Sequence, residues 1–219
     1  MAGVDPVLVQ GWLAARSLSR GLPRPVADHG GWRVDTGGEA ELRRYVFAQA
    51  SPGLTQLLAT VAEPRVFVKL CADAATFGAL LPADWTITDA NYMMVPDRVV
   101  AASCALPPGY DLASTSAGGV THVTITDPAG DTAASGYAAQ LDGIFVYDRI
   151  VVQEAHRRRG LGRALMAALG AARDPATREI LTATAMGAAL YGSLGWRVYA
   201  PYTTATRLKS SPARGGGAA

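Results

Sequence analysis

Cysteine is scarce in this 219-residue chain, with only Cys71 and Cys104 present. Two thiols do not build the disulfide framework of a small secreted domain, and their spacing suits no metal site. Both read as small side chains of the interior. No metal-ligand spacing is present elsewhere in the chain, so no metal is expected. No apolar run reaches the ~20 residues that cross a bilayer. The amino terminus carries Asp5 and lacks the basic lead and long apolar core of a secretory signal. A cytoplasmic protein, with no membrane partner, is expected. Charge of one sign is missing too: the formal net charge is +2, which gives no global reason to bind nucleic acid.

What the chain does have is length enough for a full core and one local concentration of positive charge. Residues Ile150-Val151-Val152 form an apolar, β-branched run. Gln153-Glu154-Ala155-His156 follow, and then Arg157-Arg158-Arg159-Gly160-Leu161-Gly162-Arg163. Leu161, Leu165, Ala168 and Leu169 then recur at helical spacing. The pattern predicts a strand, a tight basic loop and a helix start. Helix-initial N–H groups have no partner inside the helix and carry partial positive charge. Gly160 and Gly162 let a ligand approach the backbone, and phosphate or pyrophosphate is the natural guest. A basic, glycine-containing loop ahead of an ordinary surface helix has the same composition. No Lys-Ser or Lys-Thr follows the glycines, as a P-loop requires. The third glycine of the dinucleotide fingerprint is absent as well.

Val152 to Leu165 resembles the acyl-CoA-binding motif of the GCN5-related N-acetyltransferase (GNAT) superfamily: Arg or Gln, two variable residues, Gly, one variable residue, Gly or Ala. Arg157, Gly160 and Gly162 fill those places, and Val152 the apolar position ending the strand. Glu154 stands where the family often has Pro. Ala185-Met186-Gly187-Ala188-Ala189-Leu190-Tyr191-Gly192-Ser193-Leu194-Gly195-Trp196 resembles the family's later helix and turn.

The resemblance implies an α/β (α+β) fold with a mixed, largely antiparallel sheet flanked by helices. It also implies transfer of acetyl from acetyl-CoA, or of another acyl-CoA's acyl group, to the amine of a small molecule or amino acid. No metal is implied. The pyrophosphate would lie on N–H groups of Arg158, Arg159, Gly160, Leu161, Gly162 and Arg163, with Arg157 ordering the loop. The strand Ile150, Val151, Val152 would pair with the pantetheine arm, and a backbone N–H such as that of Val152 would steady the thioester oxygen. Tyr191 would be the general acid for the leaving thiolate; packing between sheet and helix is its structural alternative. Asp148 is a candidate base, with Asp142, Glu154 and His122 as further choices, while His156 reads as structural or solvent-facing. The family admits homodimers. A catalytically silent acyl-CoA sensor or scaffold is the competing reading.

Elsewhere the chain divides into an extension (1–35), a small α/β unit (36–100), the catalytic domain (101–209) and a disordered tail (210–219). The extension holds a short helix from Val7 to Ser17, followed by a covering loop with a solvated His29. The pattern from Gly38 through Leu42, Tyr45, Val46 and Gln49 predicts a helix, and Ser51-Pro52 opens a second. Arg65–Leu70, Trp85–Ile87 and Tyr92–Val95 read as strands, and Ala74–Leu81 as a helix. Trp85, Tyr92, Met93 and Met94 read as core rather than as a substrate wall. Between the catalytic domain's first two strands only Ala113–Thr121 intervenes, where the family has two helices walling the acceptor pocket. Glu39–Val61 is the expected replacement wall. An amino-terminal unit ahead of a shortened catalytic domain resembles the glycine-acyltransferase-like branch.

Overall fold

The computed structural model describes residues 4–97 and 105–208. Cys104, the expected boundary near residue 100 and the expected tail lie outside these residues. Helix α1 (Pro6–Ser19) opens the chain, capped by the Asp5 side chain on Val7 N–H. A hairpin follows, β1 (Val26–Asp28) and β2 (Gly31–Asp35), where a covering loop was expected. Its turn residues His29 and Gly30 both have positive φ, the geometry of a tight hairpin turn. His29 Nδ1 donates to Asp28 Oδ1 at 2.5 Å, so it is partnered rather than merely solvated.

The helix expected from Gly38 is instead strand β3 (Arg43–Phe47). Tyr45 and Phe47 enter one core and Val46 another, so both faces are covered. Burial on both faces removes the alternation by which a strand is recognised. Helix α2 (Pro52–Thr60), strand β4 (Val66–Leu70) and helix α3 (Ala74–Gly78) follow. The two strands expected between Trp85 and Val95 are one, β5 (Trp85–Pro96), of 12 residues. Met93 and Met94 are core side chains, and the buried Trp85 indole donates to Leu58 O at 3.1 Å.

The second half begins with β6 (Asp111–Ala117), which turns through Gly118-Gly119 directly into β7 (Val120–Thr126). No helix intervenes. Strands β8 (Thr132–Leu141) and β9 (Ile144–Val152), helix α4 (Leu161–Gly170), strand β10 (Arg178–Ala183), helix α5 (Ala185–Ser193) and strand β11 (Trp196–Arg207) complete the chain.

All eleven strands form one sheet, in the order β1-β2-β3-β4-β11-β5-β10-β9-β8-β7-β6. The order repeats outward from the β11–β5 pair. β4 matches β10, β3 matches β9, and β2 and β1 match β8 and β7. Each half has an antiparallel hairpin, then a parallel pair joined by a helix: β3 with β4 through α2, and β9 with β10 through α4. A further helix and a long strand follow in each. The long strands are exchanged: β5 pairs with β10 of the second half, and β11 with β4 of the first. The first half therefore cannot leave without removing a strand from the second.

Side chains alternate across a strand, and the cores sort accordingly. Val46, Met93, Val146 and Tyr202 pack beneath α1. Phe47, Met94 and Tyr147 point to the opposite face, under α2 and α3 or under α4 and α5. Helix α1 covers the first of these faces in the second half, where Glu39–Val61 was the expected cover. Its Leu8, Val9, Trp12 and Leu13 cover β8 and β9 on the face that missing helices would otherwise leave bare.

Candidate acyl-donor site

Strand β9 changes partners along its length. Ile144 to Tyr147 pair with Arg178 to Leu181 of β10, and the pairing ends there. Beyond that point β10 continues to Ala183 against β5, while β9 runs on to Val152 against β8 alone. A bulge marks the departure. Gly136 of β8 faces two residues of β9, Arg149 and Ile150, and Arg149 has φ 53°. The polar edge of residues 149–152 that would face β10 is left without a strand partner, open to an extended ligand rich in amides.

At the mouth of this opening sits the amino end of α4. Gly160 is its N-cap, at φ 84°, a left-handed conformation that costs a residue with a Cβ about 1–2 kcal/mol. No side chain caps this helix, whereas Asp5, Ser51, Asp73 and Thr184 cap α1, α2, α3 and α5. Among the described residues, the N–H groups of Arg158, Arg159, Gly160, Leu161 and Gly162 meet no acceptor. Arg158 has φ 64°, so successive N–H groups turn toward a common concavity. A Cβ on Gly162 would lie 3.1 Å from Leu190 Cδ2 and 3.7 Å from Val152 Cγ2, so this glycine seats the helix against β9 and α5.

The loop is tethered by residues whose part in it the sequence did not suggest. His156, in a 3₁₀ turn (Glu154–His156), shares a hydrogen bond of 2.8 Å with the Tyr110 hydroxyl, and its Nε2 lies 3.6 Å from Asp127 Oδ2. Arg159 donates to the same hydroxyl at 3.1 Å. Asp127 Oδ1 also accepts from Ala129 and Asp131 N–H in the β7–β8 turn. Arg157 faces Glu154 at 4.0 Å. Arg158 and Arg163 have no carboxylate partner among the described residues.

Tyr191 lies in the apolar cluster that also holds Leu161, Ala183 and Val152, and is 7% exposed. Burial pushes its phenol up to about 12, so it carries its proton at any physiological pH. Its hydroxyl makes no hydrogen bond among the described residues, leaving it free for a ligand.

Asp148 does not face the opening. Its carboxylate is held beneath α1, accepting from Arg20 Nε at 2.6 Å, Arg20 Nη2 at 2.8 Å and Ser19 Oγ at 3.0 Å. Burial alone would raise its pKa, but Arg20 and Arg16 hold it below the usual carboxylate range. A carboxylate so paired is a poor proton acceptor, and the structure gives Asp148 the work of anchoring α1 in place of the expected base. Asp142 sits in the β8–β9 turn, paired with Arg24 at the far end of β9. The Glu154 side chain is 90% exposed on the loop. His122 stacks on Tyr137 at 4.2 Å, and Arg149 covers the other ring at 3.7 Å. No His, Cys, Asp or Glu cluster among the described residues could hold a metal, and no helix there is long and apolar enough to cross a membrane.

Residues 119–198 match the family model of an acetyltransferase (GNAT) domain. Among solved structures, the chain is similar to a GCN5-related N-acetyltransferase from Kribbella flavida, with 15% identity, 94% of this chain and 96% of that chain covered, and a TM-score of 0.64. A GCN5-related N-acetyltransferase from Sphaerobacter thermophilus matches at 13% identity, 80% and 76% coverage and a TM-score of 0.56. A tandem GNAT protein from the clavulanic acid biosynthesis pathway, solved without AcCoA, matches at 16% identity, 95% coverage of both chains and a TM-score of 0.56. At these identities the likeness is one of fold: a mixed α/β, mostly antiparallel sheet flanked by helices. No curated protein matches the sequence.

Proposed function

We propose that this protein is an acyl-CoA-dependent N-acyltransferase that moves acetyl from acetyl-CoA to the amine of a small molecule or amino acid by direct attack. The observation that carries the reading is a coincidence in space. The unpaired edge of β9 and the uncapped, arginine-flanked start of α4 meet at one end of the sheet. A pyrophosphate on the N–H groups of Arg158–Gly162, with Arg157, Arg158, Arg159 and Arg163 around it, directs an amide-bearing arm along Ile150–Val152. The amine attacks the thioester carbonyl, whose developing negative charge is met by a backbone N–H of the bulged strand. The C–S bond breaks and the Tyr191 hydroxyl gives its proton to the thiolate. The proton lost by the amine returns to the Tyr191 oxygen through water. Orientation of the two reactants supplies much of the rate.

The likeness of the matched segment to GNAT domains supports the class. The likeness to a tandem GNAT protein suits a first half whose five strands repeat β7–β11 of the second. The absent β6–β7 helices are what support the closer glycine-acyltransferase-like relationship. Because Asp148 is locked by arginines, a second reading has one observation in its favour: acyl-CoA binding without turnover. Incubation with acetyl-CoA and pooled amines, followed by mass spectrometry, separates the two. Free CoA together with an amine heavier by one acetyl group supports transfer; bound but intact acetyl-CoA supports the sensor.

A further inference from the structure

Three cations from three elements converge beneath the carboxyl end of α1: Arg16 of α1, Arg44 of β3 and Lys69 of β4. Tyr202 and Thr204 of β11 lie on the same face. Arg44 is paired with Glu41. Lys69 donates to Thr204 Oγ1 at 3.2 Å and has no carboxylate at ion-pair distance among the described residues. Arg16 has Asp148 at 3.5 Å, but that carboxylate already accepts two hydrogen bonds from Arg20. Arg16 Nε is buried with no hydrogen-bond partner. The Tyr202 hydroxyl is likewise unpartnered, in a residue 5% exposed. Its ring meets Trp12 edge-on at 5.3 Å, and the Arg16 guanidinium lies 5.6 Å from that indole. Burial, with Arg44 and Arg16 adding to it against Glu41, pushes the Lys69 ammonium down to about 8.

Buried cations are normally paired, and buried donors normally bonded. Here positive charge exceeds negative; the Tyr202 hydroxyl is idle, and Arg16 Nε faces Asp148 Oδ1 at 3.5 Å without forming a hydrogen bond. The position is telling. Tyr202 pairs with Asn91, next to Tyr92, the partner of Ala183 just past the point where β9 leaves β10. Arg16 reaches Asp148, the first β9 residue past its last pair with β10.

We propose that Arg16, Lys69 and Tyr202, framed by Arg44, form an anion pocket that holds the carboxylate of the acceptor. The acceptor is thereby an amine bearing a carboxylate, an amino acid or a close relative, whose amino group faces the β9–β10 opening. This assignment rests on the acyltransfer reading. Carboxylate oxygens accept from the Arg16 Nε and Tyr202 hydroxyl donors and neutralise the surplus charge.

The test uses the full chain and two probes. Succinate at 20 mM, against sodium chloride of equal ionic strength, raises the thermal midpoint by about 4 °C. Arg16→Met and Lys69→Met remove most of that shift while acetyl-CoA affinity by calorimetry stays within about threefold. Tyr202→Phe loses only an idle hydroxyl, so it folds at least as stably as the parent and still shows a smaller succinate shift. Competition for acetyl-CoA between pooled amino acids and their carboxamides yields products with free carboxylates. No succinate shift in the parent, an equal shift in the variants, or dominant acetylation of the carboxamides overturns the pocket even where acetyl-CoA binds. A succinate shift without acetyl-CoA binding overturns the acyltransfer reading and the acceptor assignment with it, leaving a bare anion site.

Discussion

The junctions β3–α2 and β9–α4 occupy equivalent places in the two halves of the sheet, yet they dispose of their helix-initial N–H groups in opposite ways. In the first, Ser51 is the N-cap and its hydroxyl accepts from Leu54 N–H. Pro52 follows and brings no N–H of its own. Gly53 is pressed against the hairpin turn, where a Cβ would fall 2.0 Å from His29 O. In the second, Gly160, Leu161 and Gly162 stand in the places of Ser51, Pro52 and Gly53. The cap has no side chain, no proline removes a donor, and four arginines surround the loop. Strand pairing differs as well: β3 and β4 stay paired to Phe47 and Leu70, the last residues of each, whereas β9 leaves β10 after Tyr147. One topology thus gives a closed junction that holds the fold and an open one that can hold an anion. Chain path does not make a site; the cap residue, the bulge and the unpaired edge do.

The largest expected effect comes from giving the open junction its own anion. Gly160→Glu places a carboxylate and a strained Cβ at the cap, and acetyl-CoA affinity measured by calorimetry falls more than about 100-fold. Circular dichroism is expected to show the fold retained. Tyr191→Phe acts on the chemistry alone. Thiol release under saturating acetyl-CoA and acceptor drops about 100-fold, while acetyl-CoA affinity changes little. Turnover equal to the parent removes Tyr191 as the acid.

Asp148→Asn separates anchoring from catalysis. It leaves the Arg20 and Arg16 charges uncompensated and costs about 3 kcal/mol in denaturant titrations at pH 7. The Asp148 carboxyl is held low in the folded state, so its contribution is full above the ordinary carboxylate pKa near ~4 and is lost as pH falls through the folded value. The stability gap between parent and variant therefore closes in acid. A variant as stable as the parent at pH 7 refutes the anchoring role. Ser51→Ala uncaps the closed junction, lowering stability by about 1 kcal/mol with acetyl-CoA affinity unchanged. An affinity change there would mean that the two junctions are not functionally distinct.

The open junction was legible in the sequence because its signals are local: Arg157, Gly160 and Gly162 stand within six positions of one another, and the apolar run before them ends in Val152. The helix α5 with Tyr191 was legible for the same reason. What escaped depends on contacts between distant residues. Arg43–Phe47 carries no strand alternation because both of its faces are buried, and that follows from α1 and α2 packing on opposite sides of the sheet. The replacement of missing helices by α1 joins Trp12 to Tyr202, and the anchoring of Asp148 joins it to Arg20; neither separation leaves a pattern in the chain. The tether of His156 to Tyr110 and Asp127, and the cationic pocket of Arg16, Arg44 and Lys69, are likewise products of sheet order. Asp148 was a reasonable base by proximity to the motif, but it stands before the bulge at Arg149 and points to the α1 face, away from the free edge.

The most direct measurement is a CoA titration followed by amide resonances of the isotopically labelled protein. The amides of Arg158, Arg159, Gly160, Leu161 and Gly162 are expected to shift together and saturate, with those of Ile150 to Val152 following. The amides of Gly53, Leu54 and Thr55 at the closed junction are expected to remain where they were. Shifts centred on Gly53–Thr55, or saturation binding that leaves Arg158–Gly162 untouched, would contradict the assignment of the acyl-donor site to the start of α4.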